Sequence, residues 1–264
     1  MAAVERVTPE KLAPQEPSGG LCSNCSCEDA LDFEIAMAFQ PIVDVERREI
    51  FSHEALVRGI NGEGAGEVFS KVNQDNLYSF DQACRVTAIR EASKLDKDAR
   101  ISINFLPNAV YEPEACLKQT LRAARESGYP RDNITFEVTE HEKVNSTKIV
   151  EIFKTYQQRG FLTAIDDFGE GYAGLNLLAQ FQPDILKLDM LLTRDIHKDK
   201  VKQAILRGIK MTADALDIMV VAEGVETKEE YFFLKFNGVR YMQGYYLCKP
   251  QFMRMAAPED INWE

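Results

Sequence analysis

Seven short apolar stretches of this 264-residue chain end in side chains able to bind a metal ion or polarise a substrate. These are Glu54, Asn104, Glu137, the pair Asp166-Asp167, Lys187, Glu223 and Gln243. Glu, Asp and Asn offer oxygen donors only, and an all-oxygen set suits a hard cation such as Mg²⁺ or Mn²⁺. A lone Glu or Asp at a strand end is more often a helix N-cap or a solvated loop residue. Seven such positions converging on one mouth reverse that reading, because buried carboxylates need partners. Zinc fits less well: His53, His141 and His197 are far apart, lack ligand spacing, and read as surface or packing residues.

The elements that must position these groups are short, apolar and often β-branched, with expected strands at 38–43, 50–58, 101–106, 134–139, 162–167, 185–189, 219–223 and 241–247. Helical stretches lie between most of them, at 81–95, 114–126, 147–159 and 200–216. Alternating strands and helices favour a parallel sheet, and eight strands in about 230 residues match an α/β fold, a closed (β/α)₈ TIM-like barrel. The first two strands are joined only by residues 44–49, too few for a crossover helix, so the barrel is expected to be irregular, with an antiparallel first strand. In such a barrel the C-terminal strand ends form the active site. Period-two alternation then puts Ser52, Glu54, Leu56 and Arg58 on one face, Ser102 and Asn104 on another, and Ile185, Lys187 and Asp189 on a third.

Composition narrows the function classes. Hydrophobic residues make up 45% of the chain, which excludes wholesale disorder. A formal charge of −11 denies it the footprint for binding DNA or RNA polymers. No run approaches the length of a membrane span, and the N-terminus has no apolar core of a signal peptide. Six scattered or clustered cysteines do not form a disulfide framework, so reduced thiols and a cytoplasmic location are expected. Residues 1–30, rich in Pro, Glu and Ser, read as a tail. Residues 31–264 read as one domain. Within the tail, Cys22, Cys25 and Cys27 lack an evident fourth ligand and read as reactive or solvated thiols.

Two glycine-rich stretches are decoys. Gly169-Glu-Gly-Tyr-Ala-Gly174 satisfies the dinucleotide fingerprint literally, but Asp166 and Asp167 occupy the place a pyrophosphate would take. Gly62-Glu-Gly-Ala-Gly66 follows no usable strand-to-helix context and reads as a flexible loop. Neither a nucleophile elbow nor a phosphate loop is present.

The motifs are specific enough to name a family. Phe39-Gln-Pro-Ile-Val-Asp44, Glu54-Ala-Leu-Val-Arg58, Ser102-Ile-Asn104, Phe136-Glu-Val-Thr-Glu140, Ile165-Asp-Asp-Phe-Gly169, Leu186-Lys-Leu-Asp189, Ala222-Glu-Gly-Val-Glu-Thr227 and Gln243-Gly-Tyr245 with Lys249-Pro250 occur in order. From about Asp32 to Pro250 the chain resembles the EAL family of cyclic di-GMP phosphodiesterases. The resemblance implies two divalent cations, Mg²⁺ or Mn²⁺, with Glu54, Asn104, Glu137 and Asp166 as ligands of the first. Asp166 as a bridge and Asp167 would serve the second, with Glu223 close by. It implies that Lys187 holds the attacking water, and that Gln40, Leu56, Arg58, Glu226 and Gln243 contact cyclic di-GMP. It further implies that Glu140 steadies the loop 167–175, through whose region a homodimer forms.

The implied reaction is in-line attack of an activated water on one phosphorus, opening the ring to linear pGpG. Departures from the family pattern are Glu170, where a small residue is common, and Ala173-Gly174. The text 59–86 resembles the branch found downstream of flavin blue-light sensors. Two rival classes stay open: a catalytically silent cyclic di-GMP receptor or partner-binding module, and a lyase that forms an enolate with Lys187 as base.

Overall fold

A computed structural model describes residues 31–110, 112–139, 146–169 and 174–264. The expected tail with Cys22, Cys25 and Cys27, together with Glu140, His141, Glu170 and Ala173, lies outside the described residues.

The first strand, β1 (Ile35–Asp44), turns at residues 45–48 into β2 (Glu49–Gly59), and the two pair antiparallel along their whole length. From β2 onward each strand pairs parallel with the next: β3 (Ile101–Asn104), β4 (Ile134–Thr139), β5 (Leu162–Phe168), β6 (Ile185–Leu188), β7 (Met219–Ala222) and β8 (Tyr241–Met242). β8 pairs antiparallel with β1, which closes the ring. The irregular barrel with an antiparallel first strand is therefore the fold. A two-residue strand, β9 (Gln251–Phe252), adds to β1 beside β8 and was not expected.

Eight α-helices are described: α1 (Ala65–Phe69), α2 (Leu77–Leu95), α3 (Pro113–Ser127), α4 (Ser146–Gln158), α5 (Gly174–Gln180), α6 (Met190–Thr193), α7 (Lys200–Leu216) and α8 (Lys228–Phe236). The main core fills the layer between strands and helices, where Phe105 packs edge to face on Phe136 and Phe153, Phe136 does so on Phe161, and Tyr156 lies tilted against Phe136. Ile42, Ala164, Ile185 and Val221 form a separate apolar plug from alternate strand positions. Parity puts this plug inside the barrel, below the polar groups, since Ile185 shares its face with Lys187.

Several boundaries differ from expectation for local reasons. β3 stops at Asn104 rather than 106, because the Leu106 N–H leaves the ladder to donate to Asp81 Oδ1 at 2.8 Å and Pro107 follows. The expected strand 241–247 is cut to two residues. Beyond it the Gly244 backbone lies so close to Val225 that a Cβ there would sit 2.1 Å from the Val225 carbonyl. The stretch 62–66, expected to be a flexible loop, leads into α1, which is anchored by fully buried Val68 and by Phe69 packed on Phe80 at 5.4 Å.

Candidate active site

The register of the barrel brings the strand-end groups to one level. Gln40 faces Glu54 across β1 and β2, and Asn104 faces Glu137 across β3 and β4. Lys187, fully buried on β6, stands among the carboxylates: its Nζ lies 2.8 Å from Glu137, 2.8 Å from Glu223, 3.0 Å from Asp166 and 3.7 Å from Glu54. Glu54 accepts a hydrogen bond from Asn104 Nδ2 at 2.9 Å and another from Gln243 Nε2 at 2.7 Å.

Asp166 and Asp167 pose a geometric problem that β5 solves. Consecutive residues of a regular strand point to opposite faces. Here the β5–β6 register shifts between Ile165 and Phe168, and Asp167 adopts the left-handed conformation at φ 53°. This bulge re-aims the chain, so that Asp166, Asp167 and Glu223 offer oxygens within 4.8 Å of one another. Glu54, Glu137 and Asp166 form a second such triad, and Asp166 belongs to both.

The charge balance is lopsided. Burial pushes the Glu137 carboxyl up to about 8; Lys187 opposes this, while Glu54 and Asp166 reinforce it. Burial also holds Glu223 well above the usual carboxylate range. For Lys187 burial works the other way, but the surrounding carboxylates, Asp166 foremost, outweigh it and keep the ammonium protonated. Oε1 of Glu137 is buried with no hydrogen-bond partner among the described residues. An orphaned carboxyl oxygen inside an all-oxygen donor set fits a hard divalent cation.

Two clefts reach this cluster. One, of about 280 Å³, touches Gln40, Glu54, Asp167, Glu223 and Gln243, with Glu226 and Tyr245 among its walls. The other, of about 450 Å³, touches Asn104 and Asp166 and runs past Leu56 and Arg58 to apolar walls of Phe69 and Phe80. Gln40 Nε2 donates to the Cys248 carbonyl, and Arg58 folds back onto the Val57 carbonyl at 2.7 Å. Glu226 is exposed and turned to Arg194, 2.6 Å away. All of the expected site residues within the described chain therefore either join the carboxylate cluster around Lys187 or line one of the two clefts that reach it. Asp189, to which no role was assigned from sequence, also lines the smaller cleft and caps α6 through the Leu191 N–H at 2.7 Å. Its placement two residues after Lys187 was the signal available.

Comparison with known proteins bears on the same region. A family model described as "EAL domain" matches residues 26–250. The cyclic di-GMP phosphodiesterase PdeR of Escherichia coli is 38% identical over 228 residues, covering 82% of this chain and 34% of that protein. The blue light- and temperature-regulated antirepressor BluF of Escherichia coli is 34% identical, covering 78% of this chain and 52% of that one. The chain thus spans about half or less of these curated relatives. Among solved structures, a standalone versatile EAL protein of Vibrio cholerae in its c-di-GMP-bound form is 51% identical. It superposes with a TM-score of 0.84 and covers 88% of this chain and 98% of that one. Klebsiella pneumoniae BlrP1, in a manganese/cyclic di-GMP complex, is 35% identical with a TM-score of 0.79, covering 83% of this chain and 56% of that one. No helix among the described residues is long and apolar enough to cross a membrane. With its barrel, its strand-end carboxylates and a family match over most of its length, the chain belongs to the EAL domain family.

Proposed function

We propose that this chain hydrolyses cyclic di-GMP to linear 5′-pGpG in the cytoplasm, using two divalent ions, Mg²⁺ or Mn²⁺. The observation that carries the reading is the pair of carboxylate triads sharing Asp166. With every carboxylate ionised, Glu54, Glu137, Asp166, Asp167 and Glu223 against Lys187 would leave four negative charges, which two divalent cations would cancel. Glu54, Asn104, Glu137 and Asp166 would hold one ion; Asp166, Asp167 and Glu223 would hold the other. When bound, the ions would supply Lewis acidity and lower the pKa of water at the site.

The chain's own residues do the rest. Lys187 Nζ, protonated and fully buried, orients the attacking water and offsets charge that builds on the phosphate. Arg58 is free to exchange its local Val57 carbonyl contact for a phosphate oxygen. Gln40, Leu56, Glu226 and Gln243 line the clefts on either side of the cluster, which suits a ligand with two bases. The in-line attack breaks one bond from phosphorus to a 3′ oxygen and opens the ring. Residues 31–264 would be the catalytic unit, Glu140 would steady the loop 167–175, and exposed Leu175 and Leu191 nearby would face the second copy of a homodimer.

Chromatography of the products formed from cyclic di-GMP with Mg²⁺, with Mn²⁺ and with chelator tests this directly. The expected result is metal-dependent pGpG that disappears in Glu54→Ala. No product with either metal overturns it. That outcome would favour a catalytically silent cyclic di-GMP receptor or a partner-binding module, the second being the reading that an antirepressor among the relatives supports.

A further inference from the structure

Behind the carboxylate cluster, on the outer side of β3 and β4, a second charged group is sealed from solvent. Asp81 and Arg85 lie one turn apart on α2 and form an ion pair at 2.7 Å, with side chains 1% and 0% exposed. Asp81 Oδ1 accepts the Leu106 N–H, two residues beyond Asn104. Arg85 Nη1 donates to the Tyr156 hydroxyl on α4 at 2.7 Å. The guanidinium carbon lies 5.4 Å from the Phe105 ring and 5.2 Å from the Phe136 ring.

Those two rings are the neighbours in sequence of the site residues. Strand alternation sends Phe105 and Phe136 outward where Asn104 and Glu137 point inward. The Phe105 N–H also donates to the Glu137 carbonyl at 3.0 Å, which locks the two strand ends together. One ion pair therefore holds the backbone after Asn104, the strand that carries Glu137, and α4 in a single register. Stability alone does not account for it: a buried ion pair is commonly matched or bettered by apolar residues of the same volume. What a guanidinium between two rings provides is a fixed orientation, since its planar fork resists rotation.

We propose that Asp81 and Arg85 are positioning residues that set Asn104 and Glu137 at the spacing a divalent cation requires. This rests on the reading of the cluster as a metal centre. The test is calorimetric titration of chelator-stripped protein with Mn²⁺, which reads binding without turnover. Asp81→Asn keeps an acceptor for the Leu106 N–H and nearly the same volume but removes the counter-charge of Arg85. It is expected to weaken Mn²⁺ binding about tenfold or more, as changes behind metal ligands do, in protein that still melts cooperatively. Tyr156→Phe removes one hydroxyl and should move the Kd in the same direction by less. It decides the matter should Asp81→Asn fail to fold. A lower melting temperature with an unchanged Mn²⁺ Kd overturns the positioning role and leaves the metal centre standing. If the unsubstituted chain takes up no Mn²⁺, both fall.

Discussion

At the scale of single residues, Lys187 is the most informative side chain. An ammonium with no exposed surface stands within 4 Å of four carboxylates. Its removal leaves buried anions uncompensated, which typically costs about 3–5 kcal/mol. Lys187→Met is therefore expected to melt well below the parent chain in chelator. Mg²⁺ should narrow that gap, because cations take over the neutralisation, while turnover falls at least roughly a hundredfold through loss of the group that orients water. Thermal melts with and without Mg²⁺ check the first part, and a gap that Mg²⁺ leaves unchanged would separate Lys187 from the ion-binding groups. Sequence was a good guide to the convergence of the carboxylates, since polar groups that end seven strands of one closed barrel have a single mouth to share. The aim of Asp167 was not legible. Strict alternation turns it away from Asp166, and only the bulge, a matter of register between β5 and β6, brings it back.

At the scale of elements, loops are held by close backbone approaches that no strand pattern reveals. A Cβ on Gly244 would meet the Val225 nitrogen at 2.3 Å as well as its carbonyl, so the segment after Gln243 lies directly on the loop between Glu223 and Glu226. Gly244→Ala must push these segments apart. It is expected to destabilise the fold by about 1–3 kcal/mol, as overpacking does, and to reduce turnover by displacing Gln243 and Glu223. Gly66 in α1 is the contrast: a Cβ there meets nothing within 4 Å. Gly66→Ala should stabilise by roughly 0.5–1 kcal/mol through helix propensity. Denaturant midpoints of the two variants give the comparison, and equal midpoints would refute the packing account. The same close approach explains why the last strand was read too long. Its apolar letters continue to Leu247, but the backbone turns at Gly244 to meet Val225, and Leu247 is buried outside any strand.

At the scale of the whole molecule, the barrel topology was legible because the 44–49 link is too short to cross over, which forces the antiparallel hairpin. The Asp81–Arg85–Tyr156 contact was not, because it joins residues 71 positions apart and depends on which faces of α2 and α4 meet. Burial of two titratable groups sets the pH response. Burial lowers His53 to about 4, so its contribution is complete above its unfolded value near 6.5 and is lost as pH falls toward 4. Glu137 acts oppositely. Raised to about 8, it holds its proton more tightly folded than unfolded, and stability from that source is lost as pH rises from about 4.5 through 8. A divalent ion needs the ionised carboxylate, so below pH 8 it must first displace that proton. The gain in melting temperature on adding Mg²⁺ is thus expected to grow between pH 6 and pH 8. Each displaced proton changes affinity tenfold per pH unit, about 1.4 kcal/mol at a fixed Mg²⁺ concentration, or roughly 3–5 °C for a chain of this size. Paired melts in chelator and in Mg²⁺ across that range measure the increment. A constant increment would mean that Glu137 does not exchange its proton for the ion, and would remove it from the ligand set.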